Sequence, residues 1–265
     1  MASWEFPGSE PIDILVSIAA GSVAVSAEPT EVITVTIEPS RHTRNGEQLL
    51  AELKVSFSSG RLEIIQRRTA SLLRGHDGID VTVKAPTGSR CFAETASADI
   101  ACMGEMAELD AKTASGDVTA ASVNGAIDAN TASGDVWLEN AGASVSVNTA
   151  SGDVQLRWAA GDVEVKTASG DVNVGAAEAS VQASTASGDV RIRSVASGRT
   201  SVKTVSGDTV VGVAPGAGVY LDLSSLAGKI SNQLSETDGA GEVGLQVACR
   251  SVSGDIRITR SDAVR

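Results

Sequence analysis

Residues 113–136 read Thr113-Ala-Ser-Gly-Asp-Val118-Thr-Ala-Ala-Ser-Val-Asn-Gly-Ala-Ile127-Asp-Ala-Asn130-Thr131-Ala-Ser-Gly-Asp-Val136, and the opening hexapeptide Thr-Ala-Ser-Gly-Asp-Val returns at 131, 149, 167 and 185. Outward from it, apolar residues stand nine apart without slippage: Cys91, Ile100, Leu109, Val118, Ile127, Val136, Val145, Val154, Val163, Val172, Val181 and Val190. Two positions after each comes another apolar residue, from Ala93 and Cys102 to Ala183 and Ile192, the period of a half-buried strand. Each nonapeptide is one short strand and one turn. Alternate nonapeptides differ, so the full repeat is eighteen residues. Degenerate copies flank it: Thr95-Ala-Ser-Ala-Asp-Ile100 before, and Thr204-Val-Ser-Gly-Asp208, Ser225-Leu-Ala-Gly-Lys-Ile230 and Ser251-Val-Ser-Gly-Asp-Ile256 after, at looser spacings of 19, 21 and 26. So small a unit buries its apolar face only by stacking on its neighbours. The expected fold is all-β, a two-sided parallel β-solenoid (β-helix) with 18-residue coils, right-handed by the usual crossover preference. Triangular hexapeptide helices would need a six-residue beat.

The chain has 265 residues, 42% hydrophobic but only 3% aromatic, so its core must be built from Val, Ala, Ile and Leu. Lys plus Arg number 21 against 33 Asp plus Glu, and the net charge of −12 opposes phosphate backbones and anionic lipid surfaces. No nucleic acid is expected as a partner. Residues 1–10 show no basic stretch followed by an apolar one, and no run of eighteen apolar residues exists, so the expectation is a cytoplasmic protein without direct membrane insertion. Cys91, Cys102 and Cys249 fall at inward strand positions, where free Cys acts as a small hydrophobe. No Cys/His spacing for zinc exists, and His42 and His76 stand alone.

Before the repeats, residues 12–38 alternate as two or three strands, and Ser40 to Glu47, with Asn45-Gly46, reads as a turn or loop. Alternation resumes within Gln48 to Ile65, split by Ser58-Ser-Gly60, while Arg67 to Gly78 is expected to be a mobile loop. One domain, 1–265, is expected: residues 1–90 as N-terminal strands and cap, 91–211 as regular coils, 212–265 as irregular C-terminal coils and cap. Nine marked copies at ~4.8 Å would stack to about 40 Å. The open strand edges at its ends would need caps.

Val81-Thr-Val-Lys-Ala-Pro-Thr-Gly-Ser89, the repeated Thr-Ala-Ser-Gly-Asp-Val and the closing Ser251-Val-Ser-Gly-Asp-Ile-Arg-Ile258 together resemble the bacterial β-strand-repeat, adhesin-like family related to toast-rack domains. The resemblance covers nearly the whole chain. It implies a single-domain β-solenoid with an irregular first portion and an envelope-stress or assembly setting, and it brings no catalytic residues.

Stacking should align Asp99, Asp117, Asp135, Asp153, Asp171, Asp189 and Asp208 along one edge, with Thr95, Thr113, Thr131, Thr149, Thr167, Thr185 and Thr204 as a hydroxyl ladder. The glycine of each marked turn is expected to be left-handed, with Ser and Asp bonding turn amides. Carboxylates ~4.8 Å apart repel by roughly 0.9 kcal/mol in water, which hydrogen bonds can offset. A calcium edge like that of Gly-Gly-x-Gly-x-Asp β-rolls is one alternative, though the paired glycines are missing and a hard cation wants six to eight oxygens. A carbohydrate-binding or carbohydrate-cleaving solenoid is the other, but no paired carboxylates or nucleophile-base set emerges. Neither catalytic residues nor a cofactor is expected. One outward column should carry Thr119, Trp137, Gln155, Asn173 and Arg191 beside Ala121, Glu139, Arg157, Gly175 and Arg193. Trp and Arg anchor interfaces, so Trp137, Arg157, Arg191 and Arg193 are the candidate surface for a protein partner or a second copy of the chain. Trp158, near the unmarked turn, is expected to pack at a corner.

Overall fold

In the computed structural model of the chain, the described residues are 1–40, 46–66, 78–234 and 243–261. The expected mobile loop falls, except for Gly78, outside them, as do residues 41–45 of the expected turn, His42 and His76. The described residues group into two compact units, Met1–Asp135 and Val136–Arg265.

The first unit contains β1 (Ala2–Pro7), β2 (Asp13–Ala27), β3 (Val32–Pro39), α1 (Gly46–Ala51), β4 (Leu53–Ser58), β5 (Arg61–Gln66), β6 (Ile79–Ala85), β7 (Arg90–Met106), β8 (Glu108–Lys112), β9 (Val118–Val123) and β10 (Ile127–Asn130). Two long strands, β2 and β7, pair in parallel from Asp13↔Arg90 to Ala27↔Gly104, and each serves both faces of the solenoid. Parallel stacking thus already includes Asp13–Ala27, although β2 and β7 stand 77 residues apart in sequence and not eighteen. On one face β8 follows β7 and β10 follows β8, while on the other β9 follows β7, each eighteen residues on. The early strands close the unit in the opposite sense, because β3 pairs antiparallel with both β1 and β6, and β4 antiparallel with β5. Phe6 of β1 and Phe57 of β4 meet with ring centroids 5.2 Å apart, a tilted aromatic pair joining the two edge strands. Gly46-Glu-Gln-Leu-Leu-Ala51 is helical where strand alternation was expected from Gln48. Its Glu, Gln, Leu and Ala are strong helix formers, and no β-branched residue interrupts them.

The second unit contains β11 (Val136–Ala141), β12 (Val145–Asn148), β13 (Val154–Ala159), β14 (Val163–Lys166), β15 (Val172–Ala177), β16 (Val181–Ser187), β17 (Val190–Val195), β18 (Gly198–Ser206), β19 (Thr209–Val213), β20 (Gly218–Ser225), β21 (Ile230–Asn232), β22 (Val243–Ser253) and β23 (Ile256–Arg260). β11, β13, β15, β17 and β19 form one parallel face in that order, and β12, β14, β16 and β18 the other. The inward residues Val145, Val147, Val154, Leu156 and Ala159 are all buried. Each such aliphatic side chain taken out of water contributes about 1.5–3 kcal/mol, less for Ala, so a small-grained core suffices when every coil supplies several.

Beyond residue 213 the order in space departs from the order in sequence. Instead of β20, it is β22 that lies on β18, with Thr204↔Ser251, and β23 that lies on β19, with Thr209↔Ile256. β20 and β21 then lie outside β22 and β23, through Ser225↔Ser251 and Ile230↔Ile256. The last marked copy in sequence is therefore the second last in space.

Candidate functional site

The marked edge is built by stacking. In the first unit the Asp117 amide donates to Asp99 Oδ1 at 3.0 Å and the Asp135 amide to Asp117 Oδ1 at 2.9 Å. In the second, Asp171 donates to Asp153, Asp189 to Asp171, Asp208 to Asp189 and Asp255 to Asp208, at 2.8–2.9 Å. Each carboxylate therefore grips the amide of the following coil, where an amide of its own turn was expected. A hydrogen bond to a charged acceptor is worth about 1.5–3 kcal/mol, which exceeds the carboxylate repulsion. The ladder ends where the Lys229 amide donates to Asp255 Oδ1 at 2.8 Å. An aspartate in this column serves the coil that follows it, so the outermost coil can carry Lys229 instead.

Threonine closes each turn from within: the Gly116 amide donates to Thr113 Oγ1, Gly134 to Thr131, Gly152 to Thr149 and Gly170 to Thr167, all at 3.0 Å. The marked glycines correct another expectation. Positive φ occurs at Gly207 in this column but not at Gly116, Gly134, Gly152, Gly170 or Gly188. What requires glycine is close approach, since a Cβ at Gly134 would lie 1.8 Å from the Gly116 carbonyl oxygen and one at Gly170 would lie 1.9 Å from that of Gly152. Among the described residues no group of three or more His, Cys, Asp and Glu is placed to hold a metal ion.

On the outward face, Trp137, Gln155, Asn173 and Arg191 stand opposite one another on β11, β13, β15 and β17. Trp137 is 55% exposed. Three strand spacings of about 4.8 Å put Trp137 and Arg191 some 14 Å apart, so the four anchors divide. Arg157 lies on the strand next to Trp137, whereas Arg191 and Arg193 line a groove of about 340 Å³ with Asn173, Gly175, Gly212 and Arg260. Arg191 reaches Asp189 Oδ2 at 3.3 Å. The Arg260 guanidinium donates to the carbonyls of Ala214 and Ala217 at 2.9 and 3.2 Å, which fixes that wall. Gly175 and Gly212 flank Arg193 where neighbouring backbones approach closely. A Cβ there would lie 2.3 Å from the Arg157 carbonyl oxygen and 1.9 Å from that of Arg193, respectively. The sequence reading missed Gly175 and Gly212 as groove residues, although glycines inside strands signal such close approach. Trp158 is half-buried in β13, opposite Asn140 and Ala176.

Three buried thiols complete the ionisable inventory. Burial, and then the Asp222 charge, push the Cys249 thiol up to about 12. Cys91 is raised by its hydrogen bond with Cys102, then by burial.

Among solved structures the chain is similar to a candidate adhesin from Parabacteroides distasonis ATCC 8503, at 13% identity over 97% of this chain and 96% of that one, with a TM-score of 0.49. It is similar also to a candidate adhesin from Bacteroides fragilis NCTC 9343, at 12% identity, 97% and 96% coverage and a TM-score of 0.42. A candidate lipid-binding protein from P. distasonis ATCC 8503 is similar at 13% identity, 98% and 96% coverage and a TM-score of 0.42. No curated protein matches. The profile of the family described as Toastrack DUF4097 matches residues 13–259, and the chain belongs to that family.

Proposed function

We propose that this chain is a non-enzymatic, rigid interaction module, and that the outward face bearing Trp137, Arg157, Arg191 and Arg193 receives a protein partner. One observation carries the reading. The residues that recur in every coil are consumed by stacking, while the outward columns change from coil to coil and leave a large aromatic side chain and a cationic groove in solvent. Trp and Arg are the side chains that most often anchor interfaces. A repeat that existed only to stack would have no need of them. Family membership supports an assembly or envelope-stress setting, and binding of the purified chain to cell-envelope fractions tests that part.

The experiment is a pull-down from native extract with the purified chain as bait. Wild type is expected to recover a protein that Trp137→Ala recovers about tenfold less, with an unchanged melting temperature because the side chain is exposed. If nothing is recovered, or if Trp137→Ala recovers as much as wild type, the reading fails.

A further inference from the structure

Among the described residues, the second unit ends in space at the coil Gly218–Asn232, where two strand edges lie open at one level. Among the described residues β20 pairs with β22 alone and β21 with β23 alone. The core shows the consequence. Val219, Leu221 and Leu223 are only half-buried, although their register partners Leu245, Val247 and Cys249 are sealed. Ile230 is 46% exposed opposite the buried Ile256. A second apolar feature runs along the marked edge, where Val205, Val252 and Leu226 are 52%, 44% and 81% exposed at the position held by Ala168 and Ala186 in earlier coils. Residues 235–242, Ser-Glu-Thr-Asp-Gly-Ala-Gly-Glu, hold no apolar side chain larger than alanine.

Proteins guard open edges with lysine, proline, inward charges or bulges. The edge strand β1 ends in Pro7, and the edge strand β4 carries Lys54. In β20 the sole irregularity is a register shift at Gly218/Val219, and its single charge, Asp222, is held by Arg250 at 2.9 Å.

We infer that the coil Gly218–Asn232 pairs edge to edge with the same coil of a second copy of this chain, about a two-fold axis. The inference rests on the interaction-module reading and names a second copy of this chain as one partner, held at this end and not at the Trp137 face. An occupant of this end must bring two strands at once, at this solenoid's own sheet separation, with apolar side chains at alternate positions of both. A single extended peptide would cover one edge and leave the other open, whereas a second copy supplies both. Charge permits the contact: the chain carries −12, but in this coil only Asp222 and Lys229 are charged at neutral pH. Lys229 also argues against head-to-tail growth, because it offers no carboxylate to the amide of a following coil. Eight residues of β20 extend about 26 Å, which over a sheet separation of ~10 Å gives an end of ~260 Å² per copy, or ~520 Å² in total, the size of a weak, transient contact. A weak, reversible dimer is expected, not an obligate one.

Sedimentation velocity of the full chain from about 1 to 100 µM tests it, with hydrogen exchange over the same range. Wild type should pass from monomer to dimer, with amides of residues 218–232 gaining protection in step. Ile230→Lys, an inward charge at the open end, should weaken dimerisation at least about tenfold. A monomer at the highest concentration, a dimer whose added protection maps elsewhere, or a folded Ile230→Lys that dimerises like wild type would each overturn the inference. Should Ile230→Lys not fold, the exchange map of wild type decides. Trp137→Ala should leave dimerisation intact and Ile230→Lys should leave Trp137-dependent capture intact, so the two readings fail separately.

Discussion

At the scale of single residues, the marked turn is a set of positions each held by a different force. Gly170 has no room for a methyl group, since a Cβ would sit 1.9 Å from the Gly152 carbonyl oxygen and only backbone could yield. Gly60, by contrast, has φ +73° and open space around it. Gly170→Ala should therefore cost about 3 kcal/mol or more and Gly60→Ala only about 1, as urea unfolding would show. Asp171 tests the ladder. Alanine removes the acceptor of the Asp189 amide and should cost about 1–2 kcal/mol, while asparagine keeps an oxygen and should cost less. Because these carboxylates already hold amides, millimolar calcium or EDTA should leave the melting temperature unchanged. The thiols set a third outcome. Cys249 is raised from its ordinary 9.0 to about 12, so the neutral form is favoured by folding. Its contribution is complete below about pH 9 and is lost as pH rises from there toward 12. Urea midpoints should accordingly fall across that window, and Cys249→Val should flatten part of the slope. Below it, Ellman's reagent should find no reactive thiol until the chain unfolds, because all three are buried.

At the scale of strands and coils, position in the stack decides what a core side chain is worth. Leu156 is buried with coils on both sides, and Leu156→Ala should cost about 2–5 kcal/mol. Leu223, half-buried in the outermost coil, should cost about 1 when truncated in dilute solution, and chemical denaturation of both variants measures the contrast. The same logic separates what the sequence reveals from what it conceals. The nine-residue beat displays the solenoid because every inward residue must be apolar, from Cys91 to Val190, and nothing else produces that spacing. β1 and α1 leave no such trace, since an antiparallel cap strand and one helical turn each occur once. The marked glycines were visible as a column, but crowding and left-handed backbone select the same residue, and only coordinates distinguish them. The candidate surface was half legible: outward columns follow from alternation, whereas the groove beside Arg193 depends on Gly175 and Gly212, whose absent side chains carry no pattern of their own.

At the scale of the second unit, the swapped order of the last two coils has a simple origin. Thr204 and Ser251 are register partners 47 residues apart in sequence, where the neighbouring coils that lead up to them are 18 or 19 apart. Removing the 29 residues 214–242 would leave 18. The join would also fit locally: Ala196 and Ser197 connect Val195 to Gly198, and after the deletion Val243 and Gly244 would connect Val213 to Leu245, which lie on the same two columns one coil later. The segment is thus an excursion from an otherwise regular coil, laid down as the outermost layer before the chain returns to fill the gap. Lys229 in place of aspartate is its signature, because in this column a carboxylate is needed only where another coil follows. The deletion variant should fold, keep a strand-dominated far-ultraviolet spectrum and melt cooperatively, with stability reduced by a few kcal/mol for the lost cover over β22 and β23. Failure to fold, with the intact chain stable under the same conditions, would mean that the outer coil is required to hold the β22–β23 coil in place.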